Sequence, residues 1–382
     1  MRQETAMDHL FTYLHWRGDL SFSQAPFCSI DNLILCCLSY LNWGKFASGL
    51  MPEQAIPLKE AAHNWLSLPK EQKKIRVSQD ITLLQSAANS ARFGNIQLFR
   101  YVESFQEQQE QQFSATAFLL RKDTVYIAFR GTDNTLVGWK EDFNMSFQSE
   151  VPSQTAAAAY LQDFLQIPIP HILVGGHSKG GNLAVFASIK ASPILQSRIQ
   201  AVYNNDGPGF CSDILHSEAY LYLQSRVHTI VPEASIVGML LEHEEDYQVV
   251  ASTQRGFLQH DPYSWCVDGP DWYYLPETSH GSQRIDRSLK IWIASMQPKE
   301  RERMVDTIFH ILRSDTNAET VQDLLDSGHN TITNILRSWG DTPPETRLFM
   351  QKMIWRLLMA MRQSESKTIP NLPAIPFQKP KS

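Results

Sequence analysis

A serine flanked by glycines interrupts an apolar stretch near the middle of the chain. Residues 171–190 read HILVGGHSKGGNLAVFASIK, so 176–180 (GHSKG) fits the pattern G-x-S-x-G. A strand pattern precedes the motif and a helical pattern follows it, which is the context of a nucleophile elbow. Such a turn lifts the hydroxyl above the sheet edge, over backbone N–H groups that favour developing negative charge. We predict that Ser178 is a nucleophile. The alternative is a glycine-rich turn that only packs a helix or binds phosphate.

A serine nucleophile needs a histidine base, and the base needs a carboxylate that orients its ring. In hydrolases with this elbow, the order along the chain is serine, acid, histidine. His260 lies in a polar, turn-like segment, RGFLQHDPYSW, directly after the strand pattern YQVVAST. We predict His260 as the base and keep His280 as the alternative. The other candidate histidines after the serine are His216, His228 and His243.

Two carboxylates follow strand patterns between the serine and the predicted base. Asp206 ends AVYNNDG, and the Gly-Pro-Gly that follows turns the chain away. This position is the carboxyl edge, where open α/β sheets hold their sites. Glu233 follows the next strand pattern in the same way. Because an ordinary Asx turn also explains Asp206, both residues stay open as the orienting acid, with Asp206 favoured.

A second polar segment follows an earlier strand pattern, in VYIAFRGTDNTLVGWKEDF at 125–143. In acyl transfer, one oxyanion donor is the N–H of the residue after the nucleophile, here Lys179. The other donor comes from a loop after an earlier strand, and Thr132 offers both an N–H and a hydroxyl there. Losing one donor costs about 3 kcal/mol of transition-state stabilisation. The alternative is a polar turn in which Asp133 caps a helix.

Apolar periodicity divides the chain into four segments. Helical patterns fill most of 1–95, and SIDNLILCCLSYLNW at 29–43 is apolar around nearly the whole helix. Strand and helical patterns alternate over 96–281, which indicates a mostly parallel sheet covered on both faces. Residues 282–364 have helical spacing and are predicted to form a helical extension. The Pro- and Lys-containing tail at 365–382 is predicted to be disordered.

These motifs resemble those of a known enzyme family. FRGTDNTLVGWKEDF is similar to the oxyanion segment of class 3 (fungal-type) lipases, where Phe-Arg-Gly-Ser/Thr leads to a Trp and then an Asp. GHSKGGNLA is similar to their GHSLGGALA elbow. The whole pattern covers most of residues 25–330. It resembles more closely an uncharacterised bacterial family of lipase-like α/β-hydrolases with no assigned substrate.

The resemblance implies an α/β-hydrolase fold, with a mostly parallel central sheet flanked by helices and with added N-terminal and C-terminal helices. By this resemblance the nucleophile, the oxyanion donors and the base are Ser178, Thr132 with Lys179, and His260. The sequence departs from the family at the acid, because IVPEASIVG lacks the Asp-x-Val-Pro motif. Asp206 and Glu233 therefore both stay open. A lysine also replaces the usual leucine after the nucleophile.

Composition argues against several classes of protein. A net charge of −6 and a pI near 6.1 argue against a nucleic-acid partner. Five cysteines at irregular spacing, with no CxxC pair, argue against a disulfide framework or a zinc site. The chain has no apolar run of about 18 residues that would predict a membrane span, and its first residues lack a secretory pattern. We expect a cytoplasmic protein without a metal or organic cofactor.

The sequence therefore predicts a serine hydrolase of the lipase or esterase type, acting on a small or lipid-like carboxylic ester. One alternative is a non-catalytic binding protein on the same scaffold, because a fold alone does not confer activity. Another is a thioesterase or amidase that uses the same three residues.

Overall fold

The computed structural model describes residues 8–133, 136–145, 148, 150–238, 246–314, 339 and 342–364 of the 382-residue chain. The predicted tail at 365–382 and His243 lie outside these residues. The helices are α1 (Leu10–Arg17), α2 (Ser29–Leu38), α3 (Gly44–Ala47), α4 (Leu58–Leu66), α5 (Gln79–Asn89), α6 (Leu136–Asn144), α7 (Pro152–Gln162), α8 (Lys179–Lys190), α9 (Pro193–Gln196), α10 (Ser212–Leu215), α11 (Glu218–Leu223), α12 (His280–Ala294), α13 (Pro298–Ser314) and α14 (Pro344–Gln363). The strands are β1 (Ile56–Pro57), β2 (Gln97–Gln106), β3 (Gln111–Arg121), β4 (Thr124–Phe129), β5 (His171–His177), β6 (Ile199–Asn205), β7 (Val227–Pro232), β8 (Tyr247–Val250), β9 (Val267–Asp268), β10 (Asp271–Trp272) and β11 (Tyr274–Leu275).

The chain divides into two compact units. The first unit comprises Met1–Ser104, Phe113–Gly131 and Ser153–Ser282, and the second comprises Phe105–Gln112, Thr132–Pro152 and Gln283–Ser382. The first unit holds most of the sheet and every predicted site residue except Thr132.

Nine strands form one sheet in the order β1-β2-β3-β4-β5-β6-β7-β8-β11. The five strands from β4 to β8 are parallel to their neighbours. The pairs β1–β2, β3–β4 and β8–β11 are antiparallel, and β9 pairs with β10 in a separate small sheet. The prediction of a central parallel sheet is confirmed, and its antiparallel strands lie toward both edges.

The side chains of β4 alternate between two apolar cores. Val125, Ile127 and Phe129 enter one core, whereas Tyr126 and Ala128 enter the other. Successive side chains of a strand point to opposite faces of the sheet, so each core lies on its own face. All five side chains are fully buried, and the sheet is therefore covered on both sides.

Helices from different parts of the chain cover these two faces. Parallel strands in sequential order are joined by right-handed crossovers, which put the connecting helices on one face. Side chains of α7, α8 and α11 form the core on that face. Helices α2, α4 and α5 supply the core on the opposite face. This position explains the apolar circumference of α2, in which every residue from Ile30 to Leu38 is buried.

A buried ion pair anchors α2 in this core. Arg92 donates through Nε to Asp31 Oδ1 at 2.7 Å and through Nη2 to Asp31 Oδ2 at 2.5 Å, and both side chains are fully buried. The guanidinium also donates to the backbone carbonyls of Leu20, Ala25 and Pro26. The arginine therefore ties the start of α2 to the segment before it.

We expect Asp31→Ala to lower the free energy of unfolding by about 3–5 kcal/mol, because it leaves the Arg92 charge buried without its counter-ion. Asp19→Ala, at an exposed position nearby, should change that free energy by less than about 0.5 kcal/mol. Urea unfolding followed by circular dichroism measures both variants. Equal stability of the two would contradict the role given to the ion pair.

The second unit has a core of its own. Its buried apolar side chains come from α13, α14 and the segment after α12, and they are Met296, Met304, Val305, Phe309, Met350 and Met353. The ring of Phe143 in α6 lies edge-on to that of Phe309, with centroids 5.9 Å apart. From residue 283 onward, the regular elements of the described residues are all helical, as predicted. None of the described helices combines the length and the apolar character needed to cross a membrane.

Candidate active site

Ser178 lies in a strained turn between β5 and α8. Its φ is 59° and its ψ is −133°, a region that a residue with a Cβ rarely adopts. A Cβ on Gly176 would collide with the backbone of Gly180, and a Cβ on Gly180 would collide with the carbonyl oxygen of Phe129. Both glycines are therefore required by close packing around the turn. The strand, the turn and the helix have the form of a nucleophile elbow.

The end of β4 lies against this elbow. A Cβ on Gly131 would lie 3.2 Å from the Cβ of Ser178 and would collide with the carbonyl oxygen of His177. Lys179 is the first residue of α8, and it is buried. Thr132 follows Gly131 in the chain and belongs to the second unit, where its Oγ1 donates to Asp142 Oδ2 at 2.5 Å. The oxyanion roles of Lys179 and Thr132 stay predictions.

Asp206 follows β6 with a φ of 51° and is fully buried. Its Oδ2 lies 2.6 Å from Nδ1 of His260. Its Oδ1 accepts hydrogen bonds from Ser235 Oγ at 2.5 Å and from the Gly238 N–H at 3.1 Å. Because three donors from two separate segments hold one carboxylate, its position is fixed and its negative charge is stabilised.

His260 ends a short 3₁₀ helix, Gly256–His260, in the segment between β8 and β9. Its Nδ1 bonds to Asp206, so Nε2 is the nitrogen left to accept a proton. Among the residues that the structure describes, neither this Nε2 nor the hydroxyl of Ser178 has a hydrogen-bond partner. Both atoms are therefore available to a reacting molecule.

Backbone contacts connect the serine to this acid and base. The N–H of Ser178 donates to the carbonyl oxygen of Asn205 at 2.9 Å, and Asn205 directly precedes Asp206. The ring nitrogen Nε2 of His177, one residue before the serine, lies 2.9 Å from the carbonyl oxygen of His260. The rings of His177 and His260 have centroids 4.7 Å apart. The three predicted residues thus lie at one end of the parallel strands.

The other candidates make different contacts. The backbone N–H of Glu233 donates to Val250, and its carbonyl oxygen accepts from Ser279. Within the described ranges, no hydrogen bond joins its carboxylate to His260. Of the other histidines considered as the base, His280 is at the start of α12, His216 follows α10, and His228 stacks on Tyr203 at 5.3 Å.

Three residues that sequence reasoning missed support the site. Ser235 and Gly238 hold the acid, and a Cβ on Gly238 would collide with Asp206 Oδ1. Tyr40 completes the environment of His177, because its hydroxyl lies 3.3 Å from the Nδ1 of that ring. The available sequence signal for Ser235 and Gly238 was a serine and a glycine soon after β7, the strand that pairs with the one before Asp206. Nothing near Tyr40 in the sequence indicates its contact with a residue 137 positions away.

The His177 ring is held in its neutral form. Burial lowers its pKa well below the usual range, and the nearby charges of His260 and Arg76 lower it further. In this form Nε2–H donates to the carbonyl oxygen of His260, and Nδ1 accepts from the hydroxyl of Tyr40. The neutral ring therefore fixes the backbone of the predicted base without adding a positive charge beside it.

The same pKa shift makes a prediction for stability. The unfolded chain protonates His177 near pH 6.5, whereas the folded protein does so only at lower pH, so acid favours unfolding. Between about pH 7.5 and about pH 5.5, this residue should account for a loss of about 1.4 kcal/mol in unfolding free energy. Glutamine keeps a hydrogen-bond donor but does not titrate. The unfolding free energy of His177→Gln, measured by urea unfolding, should therefore fall by about 1.4 kcal/mol less than that of the wild type over the same pH range. His63→Gln, at an exposed position, is the control. If the unfolding free energies of His177→Gln and the wild type fall equally, His177 is not held neutral in the folded protein.

The parallel sheet, the elbow serine and the strand-end acid define the class of the fold, an α/β fold of the α/β-hydrolase type. The model of the Mbeg1-like family matches residues 87–310, more than half of the chain, and the chain belongs to that family. Among proteins of curated function, none is significantly similar to it.

Three solved lipase structures are similar to parts of the chain. The Rhizomucor miehei lipase in complex with its propeptide is 18% identical over 49% of this chain and 63% of its own, with a TM-score of 0.31. A fungal lipase–inhibitor complex presented as a model for interfacial activation is 16% identical over 52% and 77%, with a TM-score of 0.34. The M37 lipase is 17% identical over 54% and 67%, with a TM-score of 0.31. The chain thus spans less than two thirds of the first of these lipases.

Proposed function

We propose that this protein is a serine hydrolase that cleaves a carboxylic ester through an acyl-enzyme on Ser178. The observation that carries the proposal is the 2.6 Å hydrogen bond between Asp206 and Nδ1 of His260, at the end of the sheet where the strained serine lies. A carboxylate that orients a histidine beside an elbow serine is the arrangement that acyl transfer needs.

In the proposed first step, the Ser178 oxygen attacks the ester carbonyl carbon and His260 Nε2 takes the hydroxyl proton. The carbonyl electron pair moves onto oxygen. The N–H groups predicted from the sequence to stabilise this oxyanion are those of Lys179 and Thr132. When the tetrahedral intermediate collapses, the bond to the leaving oxygen breaks and His260 returns the proton to the departing alcohol.

In the second step, water releases the acyl group. His260 takes a proton from water, the resulting hydroxide attacks the acyl carbon, and Ser178 leaves with the proton that His260 returns. The buried carboxylate of Asp206 stabilises the imidazolium in both steps. Its bonds from Ser235 and Gly238 support this role, because they keep the carboxylate in place while the charge on the ring changes.

Turnover of a matched substrate panel tests the reaction class. The panel pairs p-nitrophenyl oxyesters of short, medium and long acyl chains with thioesters and anilides of the same acyl groups. We expect the purified protein to hydrolyse oxyesters fastest, and the preferred chain length then defines the acyl group it accepts. Preference for thioesters or anilides would assign a different acyl transfer to the same residues. No turnover of any member by folded protein would favour a binding protein.

A further inference from the structure

Helix α14, in the second unit, exposes a row of large apolar side chains. Their exposed fractions run from 40% to 68%, and they are Leu348, Ile354, Trp355, Leu358 and Met361. Met350, Met353 and Ala360 of the same helix are buried. Within the described residues, packing therefore buries part of α14 and leaves these large apolar side chains exposed.

Basic side chains lie among these apolar ones. An α-helix advances 100° per residue, so Leu348, Trp355 and Arg362 fall on one line along the exposed face. Lys352 lies one turn after Leu348 and is also exposed. The exposed face of α14 thus carries indole and aliphatic groups beside positive charges.

The charge of this region is opposite to that of the whole chain. Residues 344–363 contain four Lys or Arg and one Glu, whereas the chain as a whole has a net charge of −6. Arg356 is neutralised by Glu300 at 3.0 Å. Within the described part of the chain, Arg347, Lys352 and Arg362 make no ion pair. Lys352 interacts electrostatically with Glu300, so Arg347 and Arg362 are the cations most available to an anionic partner.

We propose that α14 docks the protein on an anionic lipid surface. In a helix that lies in the membrane interface, Trp and Leu side chains enter the headgroup region and Lys and Arg side chains attract anionic lipids. A second copy of the chain is a poor occupant, because it would present the same positive charges. This docking does not depend on the function proposed for Ser178.

Vesicle flotation of the full chain tests the docking. We expect the protein to float with phosphatidylcholine vesicles that contain about 30% phosphatidylserine and not with pure phosphatidylcholine vesicles. Added salt should release it, because screening weakens the attraction between exposed charges. Equal recovery with both kinds of vesicle, or none with either, would overturn the proposal.

Two double variants test whether α14 is the part of the protein that binds the vesicles. Lys352→Glu with Arg362→Glu removes the positive charge, and Trp355→Ser with Leu358→Ser removes the apolar groups. Each pair should weaken vesicle partition by about tenfold or more. The matched controls make equivalent changes of charge and of apolar side chains at other exposed positions: Lys70→Glu with Lys122→Glu, and Leu221→Ser with Tyr222→Ser. If an α14 variant partitions to the vesicles as strongly as its matched control, the proposal is contradicted.

Two further readouts separate this proposal from its alternatives. Ser178→Ala should float like the wild type, because α14 and not substrate capture holds the protein on the vesicle. Loss of flotation in Ser178→Ala would therefore overturn the proposal that α14 docks the protein. A dimer in analytical ultracentrifugation that Trp355→Ser with Leu358→Ser dissociates, without vesicle binding, would show that the face is a self-association surface instead.

Discussion

Ser178→Ala should lower kcat for the preferred ester by about a million-fold, to the rate that binding alone supports. The variant lacks the oxygen that forms the acyl-enzyme, and neither His260 nor Asp206 can replace that oxygen. Ser188→Ala is the matched control. It changes a serine of α8, the helix that follows Ser178, whose hydroxyl donates to the carbonyl oxygen of Ala184. Steady-state hydrolysis of p-nitrophenyl esters measures both variants.

The two serine variants also separate folding from chemistry. Alanine at a φ of 59° keeps the strain of the native turn, so the thermal midpoints of both variants should stay close to that of the wild type. If Ser178→Ala folds and still hydrolyses the ester at more than about 1% of the wild-type rate, a different group attacks the carbonyl.

Asp206→Asn should lower kcat by about ten-thousand-fold with little change in KM. The amide Nδ2–H would donate to Nδ1 of His260 and move the ring proton to Nε2, so the ring could no longer accept the proton of Ser178. Because the amide has nearly the same shape as the carboxylate, the bonds from Ser235 and Gly238 can be largely retained. The measurement is kcat and KM of the purified variant on the preferred ester.

Glu233→Gln is the control that decides between the two candidate acids. Its carboxylate has no hydrogen bond to His260 among the described residues, and we expect its kcat to stay within about threefold of the wild type. A large loss in Glu233→Gln with full activity in Asp206→Asn would reverse the assignment of the acid.

The sequence was sufficient to predict the strands and helices that carry an apolar periodicity of their own. The apolar run before Ser178 matches β5. The helix predicted over 29–43 ends at Leu38, because its apolar pattern continues into a turn that is buried by other parts of the chain. The two-residue strands β9, β10 and β11 carry no periodic signal, and their pairing depends on tertiary contacts.

The candidate site was predictable where its chemistry is concentrated in a motif. Gly176 and Gly180 indicated the elbow, and the end of a strand pattern indicated Asp206. The choice between Asp206 and Glu233 needed the structure, because both follow parallel strands and only the folded chain shows which carboxylate meets His260. Ser235 and Gly238 were missed for the same reason, since their contacts with the acid join residues about thirty positions apart.

Covalent labelling with a fluorophosphonate tests the central claim most directly, because it needs no knowledge of the substrate. The account predicts one phosphonyl adduct per chain, located on Ser178 by peptide mass spectrometry, absent in Ser178→Ala and strongly slowed in Asp206→Asn. Folded wild-type protein that stays unlabelled, or an adduct on a different residue, would contradict it.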